Sequence, residues 1–121
     1  MGWVSVLESG ARTRLVLGGE LDETVYPDLT EAVDYAVTRA VPVDIDARST
    51  TFMDSSAVVM LAHLASRLPE RPRLIEPPEI LRFLLDVTDL NQAMDVVEAD
   101  PGFDGTPPSF RRDSAPDATP A

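Results

Sequence analysis

Cysteine and lysine are both absent from this sequence, and its 121 residues include one histidine and one tryptophan. Without a thiol there is no disulfide framework and no thiolate nucleophile. With a lone histidine, a metal site would have to be built from carboxylates, and no loop has calcium-ligand spacing. Long apolar runs are also missing. The longest, Ala57 to Ala62, is far short of the roughly 20 residues that cross a bilayer. No basic leader followed by an apolar stretch opens the chain, so a secretory signal is not expected. Met1-Gly2 is followed at the sixth position by Val6, where a myristoylation signal carries a hydroxyl residue. A soluble protein of the cytoplasm is expected. Positive charge is scarce: 10 basic residues, all arginine, face 21 acidic ones, for a net charge of −11. Such a surface repels phosphate backbones and anionic lipid heads, which disfavours nucleic-acid and membrane partners. It suits a partner that presents basic residues, and it also suits plain solubility.

What is present is ordinary for a globular chain, 44% hydrophobic and 26% charged, and the length fits one domain. Two apolar stretches, Trp3-Val4-Ser5-Val6-Leu7 and Arg14-Leu15-Val16-Leu17, flank a turn at Ser9-Gly10-Ala11 and read as antiparallel strands. Gly18-Gly19 then leads into Glu20-Leu21-Asp22, which reads as a strand giving way to a loop. From Tyr26, the positions Leu29, Ala32, Val33, Ala36, Val37 and Ala40 recur at three and four residues, one buried helical face that Pro42 ends. Val43-Asp44-Ile45-Asp46-Ala47 alternates like a strand, followed by a polar loop, Arg48 to Thr51.

A second helix is expected from Asp54-Ser55-Ser56 to Arg67, with Val58, Leu61, Ala65 and Leu68 facing inward. Pro69 and Pro72 precede a short strand at Arg73-Leu74-Ile75. Pro77-Pro78 opens a third helix, running to Val87, whose apolar face is Ile80, Leu81, Leu84 and Leu85. A last strand spans Met94 to Val97. Alternating strands and helices indicate an α/β fold, a small mixed β-sheet with helices packed against it. Residues 1–99 form the domain. Residues 100–121, rich in Pro, Asp and Ser, are expected to be a disordered tail, from which Phe103 or Phe110 could dock back.

The informative stretch runs from Val43 to Ala65. Its centre, Asp54-Ser55-Ser56, stands at a helix start, where side-chain oxygens accept from orphan backbone N–H groups. Read from the residues alone, the trio is a helix cap. The stretch Phe52-Met53-Asp54-Ser55-Ser56-Ala57 resembles the hallmark of STAS domains in bacterial anti-sigma factor antagonists. Gly19-Glu20-Leu21-Asp22 and Pro27-Asp28-Leu29 are similar to further landmarks of that family, in order, and the likeness covers residues 3 to 98.

The resemblance implies a STAS-type single domain that is a regulatory binding module and not an enzyme. It implies that Ser56 is phosphorylated by an anti-sigma factor that is also a serine kinase, with partner contacts at Asp22, Asp54, Ser55, Ser56 and Ala57. Phosphorylation would release the partner and a phosphatase would restore binding. No cofactor is implied. The family usually has glycine where this chain has Ala57, a methyl group placed where a kinase loop would approach. The same family also supplies stand-alone adaptor subunits of sensory, transport or lipid-trafficking complexes that work without a phosphoswitch.

Other chemistries fit less well. A Ser-His-Asp hydrolase built from Ser56, His63 and Asp54 would need a hydrogen bond between residues seven apart on one helix, roughly 10 Å along its axis, and has no Gly-x-Ser-x-Gly elbow. A phosphoaspartate receiver, with Asp46 or Asp54 as acceptor, resembles a family that uses a lysine this chain lacks. Gly18-Gly19 does not have the spacing of a nucleotide-binding loop.

Overall fold

The computed structural model describes residues 1–108. Five strands stand in sequential order as one sheet, β1 (Trp3–Glu8), β2 (Thr13–Leu21), β3 (Val43–Met53), β4 (Arg73–Ile75) and β5 (Asp95–Val97). β1 pairs antiparallel with β2, and every later pair is parallel. The parallel pairs require crossovers, supplied by α1 (Tyr26–Arg39), α2 (Ser55–Arg67) and α3 (Glu79–Thr88). Repeated crossovers of one hand in one direction put all three helices on the same face. There Leu15, Leu17, Ile45, Ala47 and Leu74 meet Leu29, Val33, Leu61, Leu64, Leu81 and Leu85 in one core. The α/β mixed sheet expected from the alternating pattern is the observed fold.

Several details differ from the sequence reading. The polar segment Arg48 to Thr51 is not a loop, because β3 continues through it to Met53. Two register shifts against β2, between Val16 and Gly18 and between Gly19 and Glu20, each place one extra residue in β3. The inward positions therefore become Ala47, Thr50 and Met53, and the period of two is lost. Gly19 takes a positive φ of 71° at the second shift, and a Cβ there would lie 2.2 Å from the Met1 carbonyl oxygen, so glycine suits both the turn and the close approach.

On α3 the buried residues are Leu81 and Leu85, with Ile80 exposed and Leu84 half-buried, so the true face is narrower than expected. On α2, Leu64 is buried where Ala65 and Leu68 are only partly so.

The sheet face away from the helices is polar and carries a buried ionic network. Arg14, Asp44 and Arg73 lie in one cross-strand row. The fully buried Asp44 carboxylate accepts from Arg14 at 3.1 Å, Arg73 at 2.8 and 3.0 Å, and Arg12 at 3.0 Å. Burial alone would push this carboxyl up, but hydrogen bonds from Arg73 and Arg14 and the charge of Arg12 hold it below the ordinary range. Arg48 closes on Asp46 at 2.7 Å.

The segment after β5 crosses this face to the opposite edge. Asp100 takes two hydrogen bonds from Arg14, at 3.0 and 3.2 Å. The Phe103 ring lies 5.0 Å from the Arg14 guanidinium carbon, within cation–π range. Thr106 then exchanges both backbone hydrogen bonds with Glu8 of β1, at 2.7 and 2.9 Å. Ordered contacts thus reach into the segment expected as tail, whereas Phe110 lies outside the described residues.

Removing one partner from a buried charge cluster leaves the others uncompensated. Asp44→Asn is expected to lose about 3–5 kcal/mol of stability, read as a lower urea midpoint with an unchanged slope. A chain ending at Ala99 takes Asp100 and Phe103 away from Arg14 and is expected to melt about 10 °C lower or more. An unchanged melting temperature would show that the segment contributes nothing.

Candidate functional site

β2 and β3 run parallel and end together, Leu21 opposite Met53, so the loops that follow share one end of the sheet. Crevices outside the carboxyl ends of parallel strands are the usual place for sites in such folds. The Asp54 N–H donates to the Leu21 carbonyl at 3.1 Å, which fixes the two loops together. Asp22 then caps the single 3-10 turn Glu23–Val25, its carboxylate accepting from the Thr24 hydroxyl at 2.6 Å and N–H at 3.0 Å. Those bonds hold the Asp22 carboxyl below the ordinary range.

Asp54 is the N-cap of α2. It is extended, with φ −85° and ψ 174°, and its Oδ1 accepts from the Ala57 N–H at 2.9 Å. Ser55 and Ser56 are exposed in the first turn, whereas Ala57 is wholly buried. The Ala57 methyl therefore lies in the core, and only the backbone of that residue belongs to the site. One helical turn further, Val59 stands 65% exposed, and Phe52 before the cap is 47% exposed. The site is thus a turn of helix with two hydroxyls beside apolar side chains.

Of the five residues expected to form the site, Asp54, Ser55 and Ser56 are brought together, Asp22 shares their end of the sheet, and Ala57 turns inward. In the sequence Tyr26, the first residue of α1, marks only a helix start. Its hydroxyl lies 2.6 Å from both carboxylate oxygens of Asp54. The two residues are 28 apart in sequence, and no local pattern signals their meeting. His63 is exposed on α2, its Nε2 3.4 Å from Arg67. A groove of about 610 Å³ between β1 and α1, lined in part by Val4, Val6, Tyr35 and Pro108, contains none of the five. Among the described residues no group of three or more His, Asp or Glu could hold a metal ion, and no helix is long and apolar enough to cross a membrane.

A family model described as "Mlab, STAS domain" matches residues 4–98. Among solved structures, an anti-sigma factor antagonist from Mycobacterium paratuberculosis is similar with a TM-score of 0.71 and 19% identity, over 79% of this chain and 85% of that one. The anti-sigma factor antagonist SpoIIAA in its unphosphorylated form is similar with a TM-score of 0.67 and 18% identity, over 81% of this chain and 90% of that one. At these identities the likeness establishes the fold. No curated protein sequence matches.

Asp54→Ala removes the cap from α2 and is expected to cost about 1–2 kcal/mol, whereas the exposed His63→Ala should stay within about 0.5 kcal/mol of the parent. Chemical denaturation of both variants checks the contrast, and equal effects would contradict the assigned roles.

Proposed function

This chain belongs to the STAS domain family, and from that premise we propose that it is an anti-sigma factor antagonist, which binds an anti-sigma factor that is also a serine kinase and is released by phosphorylation at Ser56. The observation that carries the reading is the position of Ser56, exposed in the first turn of a helix capped by Asp54. The likeness of the fold to two antagonist structures supports it.

The chemistry suits that position. In the kinase complex the Ser56 oxygen attacks the γ-phosphorus of ATP. The bond from that phosphorus to the β,γ-bridging oxygen breaks, ADP departs, and the serine proton passes to a base of the kinase. The antagonist supplies only the acceptor hydroxyl and needs no catalytic group of its own. A phosphate there adds about −1.5 to −2 charges beside unpaired N–H groups and the positive end of the helix dipole, which the fold tolerates. A partner covering the same turn must desolvate that charge, and the complex is lost. Before phosphorylation, exposed Phe52 and Val59 offer apolar contact beside the two serines. The net charge of −11 favours a basic face on the partner. A phosphatase resets the cycle. The setting is the cytoplasm, where sigma factors act.

A second reading keeps the fold and drops the phosphate, making the chain a stand-alone adaptor subunit of a sensory, transport or lipid-trafficking complex. The description of the matching family model, which names Mlab and no antagonist, favours it.

The two readings part on one experiment. Incubation with the cognate anti-sigma kinase and ATP should add one phosphate, and Ser56→Ala should block it while still binding. Ser56→Asp should weaken binding about tenfold or more, equivalent to about 1.4 kcal/mol, and the phosphorylated chain should bind more weakly still. Binding indifferent to phosphate, or phosphate found only at Ser109 or Ser114, would defeat the switch and leave the adaptor.

A further inference from the structure

The first residue of α1 and the cap of α2 meet at the start of α2, two residues before Ser56. The Tyr26 hydroxyl has one proton and lies equally close, 2.6 Å, to both oxygens of the Asp54 carboxylate, so that proton is given to Asp54. The Ser56 side chain, in the same first turn of α2, acts on that phenol and opposes its upward shift. Partial burial, the bond to Asp54 and the negative charges of Asp54 and Glu23 push the phenol above its ordinary value, against the opposing pull of Ser56. It therefore keeps its proton at neutral pH and remains a donor. Donation therefore runs from Tyr26 to Asp54.

Phosphorylation would bring a second acceptor to this turn. The serine oxygen loses its proton and gains three acceptor oxygens carrying more negative charge than a carboxylate. One phenolic proton then faces two acceptors, and Asp54 already has the Ala57 N–H. We propose that Tyr26 is a positioning residue of the switch, donating to Asp54 while Ser56 is unmodified and to the phosphate once Ser56 carries one. The transfer would free Asp54 from α1 and bring the first turn of α1 into contact with the phosphate. A modification on α2 would thereby be felt at the adjoining Asp22 turn, the other expected partner contact. The inference rests on the reading of Ser56 as the modified residue.

The test uses the full chain with phosphoserine installed at position 56 during translation, so neither kinase nor partner is needed. Phosphorus NMR follows the second ionisation of the phosphate with pH. A lost donor disfavours the dianion, so the ionisation of the Tyr26→Phe variant should lie about half a unit or more above that of the unsubstituted chain. A purely structural role for Tyr26 would change stability and leave the ionisation in place. The Tyr26 Cζ resonance of the unsubstituted chain gives a reading free of any folding defect, and it should move with the phosphate titration. An ionisation unchanged to within about 0.1 unit, with a Cζ resonance indifferent to the phosphate, would overturn the proposal. Failure of any kinase to modify Ser56 would defeat the switch reading instead, while the measured contact would still stand.

Discussion

The carboxylate of Asp44 is the constraint on which the rest of the sheet depends. It is wholly buried, and guanidinium groups from three positions, Arg12, Arg14 and Arg73, converge on it from both sides of β3. Desolvating such a charge is costly, and the arrangement is tolerable because nearly every donor and acceptor finds a partner. Arg14 Nε is the one buried side-chain polar atom among the described residues without one. The network selects register: a one-residue slip of β3 would carry Asp44 into the apolar core and Ile45 among the arginines. With Arg14 opposite Asp44, the two bulges bring Leu21 opposite Met53 at the far end, and the loops bearing Asp22 and Asp54 follow directly. The charge cluster and the candidate site sit at opposite ends of the same strand pair.

The first turn of α2 divides its work by face. Ala57 and Val58 enter the core, Asp54 closes the helix end, and Ser55, Ser56 and Val59 point outward. Because neither serine supplies the cap oxygen, a change at either hydroxyl spares both packing and cap.

Much of this was legible in the sequence. Most of the α1 face and the Val58 and Leu61 positions of α2 follow from spacing. Ala40, however, is exposed at the left-handed end of α1, and Leu64 is buried where Ala65 and Leu68 are not fully so. Asp54 is recognisable as a cap because its chemistry is local. The second half of β3 was hidden by its bulges, since Arg48, Ser49 and Thr51 are outward and only Thr50 turns in. Asp44 and Asp46 alternate as in a strand, yet nothing nearby announces that Asp44 is buried against three arginines far away in the chain. Tyr26 and Asp100 escaped for the same reason: the partners of each lie far away in the chain, Asp54 for one and Arg14 for the other. The prolines and glycine after Asp100 imitate a linker while the backbone crosses the sheet.

That crossing has a consequence for how the protein is made. The contacts of Asp100 with Arg14 span 86 residues, and Thr106 pairs with the first strand. A chain emerging from the ribosome N-terminus first can form the β1–β2 hairpin early and add each crossover in turn. Arg14 must meanwhile wait on the exposed face for an acid made 86 residues later and for the ring that follows it. The non-helical face is therefore completed only after the five strands have been made, and the nascent protein passes through a stage with that charged face open.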